Sequence, residues 1–567
     1  MRRFLIFFLI IIGFTIILIR LFLIQINNHH FFSELADNQQ MIKSTVNSTR
    51  GQIIAIDPKS NRQKILATNK KFWDIYAVPQ KIKNPENTAR QLASILSLNE
   101  KKIIKRINRP NDPYEPIKNR VDDQKWKEIK QLKLNGIYAK NNYWRWYPQK
   151  EFFSHILGFW GENKLGAKGM YGLEELYDSH LSGKSGSVLL GRDALGKIIW
   201  THRREIENGQ NGDDLVLTVD PNIQYFVTDE LKKAVEKWKA DSGCAVVMNP
   251  HTGAILAMES WPFFDPNQYG QVKNESFYLN SCIQRSFEPG SVMKPITMAA
   301  AINEGKVTPD TTYIDKGYVK MDGYKIKNAA NEIYGESDMS KVLEKSINTG
   351  AVFAEEKLGP KLFRQYLEKF GFGKKTNIDL SGEVSGSITN LQNLSSKVNF
   401  ATASFGQGIM VTPIQMINAI AAIANYGKLM KPYIVKEIIH PNGQKEGIKP
   451  KIVRQVISPK TAKTVSLMLA NVVKKGYPWI KIGQTYSVAG KTGTAQVSWA
   501  YLGKNKRGYS DQTIHSFIIF APAKSPKFIF YIKLDNPKKI NFAANSLSYF
   551  VGDLTRKLLD YYEISPN

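Results

Sequence analysis

The segment "FEPGSVMKPI", Phe287 to Ile296, places Ser291 three residues ahead of Lys294. Pro289-Gly290 is turn chemistry and serine is favoured at a helix start, so the plain reading of Ser291 is a helix cap. A second reading is chemical. Residues three apart on a helix share a face, which would set the Ser291 hydroxyl beside the Lys294 amine. A serine hydroxyl is a weak nucleophile until a base takes its proton. Lysine can be that base only when neutral, and desolvation, a nearby cation or the positive start of a helix would each lower its pKa. No other serine in the chain has a lysine three residues on.

Two further motifs belong with this pair. "KSINTG" supplies Ser346 and Asn348, the only S-x-N between Ser291 and the later motif, and "VAGKTGTAQV" supplies Lys491, Thr492, Gly493 and Thr494 around the only K-T-G. Alone, Ser346 reads as a helix-surface serine and Lys491 as a solvated charge. The set S-x-x-K, S-x-N and K-T-G, in this order, reverses those readings and points to acyl transfer through a serine. "GKTGT" is not a phosphate-binding loop, because Thr485 stands where that loop needs its first glycine. Gly406 and Gly408 in "FGQGIMV" lack a third glycine at dinucleotide spacing and shape backbone. Glu288 reads as an ordinary turn carboxylate. His155 and His251 read as residues of turns or polar helix faces. Cys244 and Cys282 are the only cysteines, so a zinc site is not expected; whether they pair is open.

These residues need a scaffold. The run 244–259, "CAVVMNPHTGAILAME", reads as two strands around a Pro-His-Thr-Gly turn, and 515–535 reads as a second hairpin turning at Lys524 to Pro526. Helices are expected at 231–240 and 542–563. Strands near both ends with helices between predict an α+β domain, an antiparallel sheet covered by helices, over 211–567. Residues 25–210 mix short strands ("STRGQIIAID", 48–57) with amphipathic helices ("NTARQLASIL", "DQKWKEIKQL") and a glycine-rich then helical run at 161–186. This segment is expected to be an elongated α+β pedestal without a catalytic constellation. Phe4 to Ile24 is apolar apart from Arg20, long enough to span a bilayer, and no small-x-small cleavage site follows. An uncleaved anchor (4–24) is expected, with residues 1–3 cytoplasmic and the rest outside. The net charge of +28 is scattered rather than gathered in a stripe, so nucleic acid is not an expected partner; biased lysine usage on a solvated surface is the simpler reading, and attraction to an anionic envelope surface the functional one.

With these motifs in place, the chain resembles a class B penicillin-binding protein, a membrane-anchored peptidoglycan D,D-transpeptidase. "RGQIIAID", "WYPQKEFFSHILGFWG", "GLEELYDSHLSGKSG", "SFGQGIMVTPIQM" and "NYGKLMKPYIV" are similar to family segments, so nearly the whole chain is covered. Pro58 follows Asp57 where many relatives have another polar residue and then glycine, which implies a local turn difference. "EPGSVMKPITMAAAINEGKV" and "SFGQGIMVTPIQ" are closer to the division-specific (FtsI-type) branch than to the elongation branch.

The resemblance implies roles. Ser291 would attack the penultimate D-Ala carbonyl of a stem peptide, and Lys294 would take its proton. Backbone N–H groups of Ser291 and Thr494 would form an oxyanion hole, each donor worth roughly 10²–10³ in rate. Ser346, held by Lys491, would relay a proton to the departing D-Ala. Asn348 would bind the substrate backbone and orient Lys294. Lys491, Thr492 and Thr494, around Gly493, would bind the terminal carboxylate. No cofactor or metal is implied. β-Lactams would trap the same serine. The implied partners are stem peptides, divisome membrane proteins and a polytopic glycosyltransferase of the shape, elongation, division and sporulation family. That glycosyltransferase is expected to meet the anchor and the segments Arg50–Asp57 and Leu173–Asp178, with Glu174 and Glu175 as contacts. The alternatives are an elongation-specific transpeptidase, a bifunctional synthase, a β-lactamase or carboxypeptidase, and a non-catalytic β-lactam-binding sensor or scaffold. A bifunctional synthase would need a glycosyltransferase domain after the anchor. A scaffold would be expected to lose one of the three motifs.

Overall fold

A computed structural model of the 567-residue chain describes residues 2–46, 48–163, 166–192, 198–477 and 482–566. Met1 of the expected cytoplasmic tail, and Lys164 and Leu165 of the glycine-rich run, lie outside the described residues. The chain folds as two compact units, Met1–Gly51 with Ser179–Asp213, and Gln52–Asp178 with Asp214–Asn567.

In the first unit a continuous helical segment, Arg2–Asn27, is long and apolar enough to cross a membrane. Its large side chains, Phe4, Phe8 and Phe14 among them, are exposed on every side, the pattern of a helix whose partner is lipid. The same unit holds a three-stranded antiparallel sheet with Gly186–Arg192 between Met41–Val46 and Ile198–Glu207.

The second unit contains two large sheets. One places Lys445–Gly447, Val435–Ile439, Asp214–Leu217, Ile53–Ile56, Gln63–Ala77 and Glu115–Val121 in that order, with Ile137–Trp146 also paired to Gln63–Ala77. The helices Pro85–Leu96, Glu100–Ile107 and Asp123–Gln131 bury Leu92, Leu96, Ile103, Ile107 and Ile129 against it. Two polar groups here are not the surface groups that their residue type suggests. Glu174 is buried and pairs with buried Arg145 at 2.7 Å, while Tyr147 OH donates to the same carboxylate at 3.1 Å. Glu174 is therefore a structural ion pair and cannot be the partner contact expected of it. His155 is also buried rather than on a polar face, with Nδ1 3.4 Å from the buried Glu259 carboxylate.

The second sheet is the antiparallel one expected. Its strands are β1 (Ser242–Met248), β2 (Ile255–Trp261), β3 (Ala489–Ser498), β4 (Tyr509–Ala521) and β5 (Phe528–Asp535), in the order β2-β1-β5-β4-β3. Every residue of β1 is buried, which requires cover on both faces. Helices α1 (Pro221–Trp238) and α6 (Ala543–Tyr561) pack on each other and on the sheet. α4 (Pro413–Ala424), buried at every position, packs on β1 and β5, and α5 (Pro459–Gly476) on β3. Cys244 on β1 and Cys282 are both buried free thiols. Burial, and then the adjacent Cys244 thiol, push the Cys282 thiol well up. Between the two sheet hairpins lie α2 (Lys294–Asn303) and α3 (Asn348–Leu358), which pack together and carry the motif residues to the rim of edge strand β3.

Candidate active site

Ser291 does not cap a helix. It lies in a tight 3-10 turn, Gly290–Met293, that runs into α2, and no side-chain capping bond is made there. In such a turn residues i and i+3 eclipse, so Ser291 and Lys294 stay on one side as the spacing demands. Two contacts clamp the turn. Phe287 forms a two-way backbone bridge with Val411 (2.9 Å each way), and Gly290 N–H donates to Gly406 O at 2.9 Å. Thus the "SFGQGIMV" segment acts by holding the serine turn. Gly290 has φ +61°, and a Cβ there would stand 2.8 Å from Thr494 O. Glycine is needed for both reasons, and the serine turn is thereby pressed onto β3.

Lys294 is 1% exposed, and its Nζ donates to Asn348 Oδ1 at 2.8 Å, to the Ser346 carbonyl, and lies 3.1 Å from Ser346 Oγ. Lys491, fully buried on β3, reaches the same hydroxyl from its other side, Nζ to Ser346 Oγ 3.0 Å. Burial, and then the positive charge of Lys491, hold Lys294 well below the ordinary lysine range. Burial brings Lys491 down to about 7. Both effects disfavour the charged form. Ser291 Oγ makes no hydrogen bond among the described residues and lines the cleft.

Ser346 sits at φ +56°, in the left-handed region that non-glycine residues seldom adopt. This conformation turns both its carbonyl and its hydroxyl toward Lys294. Asn348 opens α3, and its Nδ2 donates to Lys327 O at 2.9 Å, so the amide is tied at both ends. Asn328 Oδ1 accepts from the N–H groups of Asn348 and Thr349, each at 3.1 Å, and Asn328 Nδ2 donates to Asp315 at 2.9 Å. Asp315 also accepts from Thr349 Oγ1 at 2.7 Å. Burial opposes its charge, but the bonds from Thr349, Tyr334, Gly317 and Asn328 hold it below the usual carboxylate range. This Asp315–Asn328 support carries no sequence signature.

On β3 the side chains alternate. A Cβ at Gly493 would stand 2.8 Å from Pro289 O, so the glycine of K-T-G is the point where β3 meets the serine turn. Thr492 Oγ1 is 2.5 Å from Tyr477 OH, a buried tyrosine that the motifs do not disclose. Thr494 Oγ1 accepts from Ala543 N–H at 2.9 Å, which leaves its own proton free to point elsewhere. Ser291, Ser346, Asn348, Thr492 and Thr494 all line one cleft of roughly 1100 Å³, with Lys294 and Lys491 directly behind Ser346. Glu288 departs from the ordinary turn carboxylate expected. Burial raises it to about 7, with Tyr509 OH donating at 3.3 Å.

Residues 243–552 match the penicillin-binding protein transpeptidase domain, and residues 45–217 match the penicillin-binding protein dimerisation domain. The chain is 38% identical over 507 residues to stage V sporulation protein D of Bacillus subtilis (strain 168), covering 88% of this chain and 77% of that one. It is 28% identical over 550 residues to peptidoglycan D,D-transpeptidase FtsI of Escherichia coli (strain K12), covering 95% and 88%. Penicillin-binding protein 2X from Streptococcus thermophilus shares the fold, with a TM-score of 0.72 over 92% of this chain and 80% of that one at 24% identity. The chain belongs to the penicillin-binding protein transpeptidase family. Within it, a dimerisation-domain match ahead of the transpeptidase domain, with an apolar N-terminal helix, is the class B layout.

Proposed function

We propose that this protein is a membrane-anchored peptidoglycan D,D-transpeptidase that cross-links stem peptides through an acyl-enzyme on Ser291. The observation that supports this most is the convergence of two buried, pKa-depressed lysines on one hydroxyl beside a cleft-lining serine. Lys294, whose charged form burial and the neighbouring Lys491 disfavour, takes the Ser291 proton as Oγ bonds to the penultimate D-Ala carbonyl carbon. Backbone N–H groups of Ser291 and Thr494 steady the oxyanion. The amide C–N bond then breaks, and the departing D-Ala amine takes a proton through Ser346, which Lys491 holds. Thr492 and Thr494 bind the terminal carboxylate around Gly493, and Asn348 binds the substrate backbone. An amine of a second stem peptide attacks the ester, a new amide forms, and Ser291 is released. A β-lactam acylates the same oxygen but offers no leaving group that diffuses away.

The anchor places residues 1–3 in the cytoplasm and the catalytic unit outside, in septal wall synthesis beside a polytopic glycosyltransferase of the shape, elongation, division and sporulation family and other divisome membrane proteins. The domain scheme of anchor 4–24, pedestal 25–210 and transpeptidase 211–567 belongs to the same reading. The activity is tested by incubating purified protein with a donor pentapeptide and an acceptor amine. Release of D-Ala with a matching amount of cross-linked product is expected; release of D-Ala with no cross-link at any acceptor concentration would make it a carboxypeptidase. A fluorescent fusion should gather at septa, and an even lateral-wall distribution would move it to elongation.

A further inference from the structure

The catalytic cleft is basic. Five lysines line it, Lys325, Lys327, Lys345, Lys538 and Lys539, against two carboxylates, Glu344 and Asp511. Glu344 is held by Lys475 at 3.1 Å, and Lys538 pairs with Asp241 at 2.8 Å. Among the described residues no carboxylate pairs with Lys325, Lys327, Lys345 or Lys539. The mechanism proposed above uses none of these lysines; the terminal carboxylate is already served on β3. Their placement is close to the chemistry. The Lys327 carbonyl accepts the Asn348 side-chain N–H at 2.9 Å, and Lys345 directly precedes Ser346. Lys325 lies on the same hairpin strand as Lys327, Tyr324–Lys327, with its ammonium 4.0 Å from the Tyr318 ring centre. The cleft wall beside Asn348 and Ser346 therefore carries Lys327 and Lys345.

Resting on the transpeptidase reading, we propose that the cleft selects donor stem peptides by free carboxylates upstream of the terminal D-Ala-D-Ala. The substrate class is a peptide whose second and third residues carry unblocked acidic groups, as opposed to the same peptide with those groups amidated. Several cations without a carboxylate partner in a concave site raise the local concentration of such an anion and hold it in register. They also disfavour a substrate whose only free side-chain charge is an ammonium.

The test compares two synthetic donor pentapeptides, identical except that the upstream carboxylates are free in one and amidated in the other. D-Ala release is measured for each, and penicillin labelling of Ser291 is followed in the same preparation. At about 0.05 M salt the free-acid donor should be favoured roughly five- to tenfold in kcat/KM. At about 1 M salt, where charges are screened within about 3 Å, the ratio should fall to within twofold of unity. The triple variant Lys325→Gln, Lys327→Gln, Lys345→Gln should show that lower ratio at low salt. A wild-type ratio at or below unity, or one that neither salt nor the triple variant changes, would overturn the proposal. Protein that is neither labelled by penicillin nor active on either donor would instead overturn the transpeptidase reading beneath it.

Discussion

Lys294 Nζ donates to Asn348 Oδ1 across 2.8 Å, and the other end of that amide donates to Lys327 O at 2.9 Å. The amide cannot flip without setting two oxygens against each other. A neutral Lys294 has two N–H groups, and Asn348 Oδ1 and the Ser346 carbonyl, both pure acceptors, can take them. The remaining lone pair is what a proton acceptor needs. Lys491 N–H to Ser346 Oγ, with Ser346 Oγ beside Lys294, then gives the hydroxyl a direction.

Asn348→Ala should lower β-lactam acylation by about ten- to a hundredfold with little change in Tm, because orientation of the base is lost. Asn348→Asp should do something different. A carboxylate beside Lys294 favours the charged amine, raises its pKa and moves the rise of acylation rate to higher pH. Acylation rates measured from pH 6 to 10 decide this; coincident pH profiles would disconnect Asn348 from Lys294.

Lys491 should leave a mark on stability. Its folded-state pKa of about 7 lies below the ordinary lysine value of 10.5. Between these values the unfolded chain binds the extra proton, so stability rises with pH across that window. Below about 7 both states are charged and the burial penalty is fully present. Lys491→Met removes the titration, so the wild-type Tm should gain on the variant's as pH rises from 7 toward 10. A constant difference would mean that Lys491 titrates normally.

Gly493→Ala should be damaging out of proportion to one methyl group. The new Cβ would meet the Pro289 carbonyl at 2.8 Å, and that backbone belongs to the serine turn. A loss of about 1–3 kcal/mol in stability is expected, together with slower acylation, because the turn must move off β3. Denaturant unfolding and a labelling time course measure the two effects.

Glu174→Lys should unfold or strongly destabilise the protein, by roughly 3–5 kcal/mol, since it leaves buried Arg145 facing a like charge. Glu175, exposed on the same helix with its carboxylate accepting the Tyr171 N–H at 3.0 Å, should lose only about 0.5–1.5 kcal/mol on reversal. Thermal melts of the two single variants separate a structural ion pair from a surface contact. Of these two residues, only Glu175 can then be used to test the proposed glycosyltransferase contact.

Much of the site was legible because its chemistry lies in short motifs. Ser291, Lys294, Ser346, Asn348 and Lys491 were named from spacing, and the structure brings them around one cleft. The hairpin of β1 and β2 was legible because its β-branched runs flank a Pro-His-Thr-Gly turn. What escaped was long-range. Asp315, Asn328 and Tyr477 support the motif residues from distant points in the chain, and an aspartate, an asparagine or a tyrosine carries no local signal of such a role. Glu174 was misread because a charged residue reads as surface until its buried partner, 29 residues away, is in view.

The most direct test is to map the acyl adduct. Wild-type protein and Ser291→Ala are incubated with penicillin, digested, and analysed by peptide mass. The expected result is one adduct, on the peptide containing Ser291, and none in the variant, whose Tm is unchanged. An adduct on another residue, or undiminished labelling of Ser291→Ala, would contradict the assignment of Ser291 as the nucleophile.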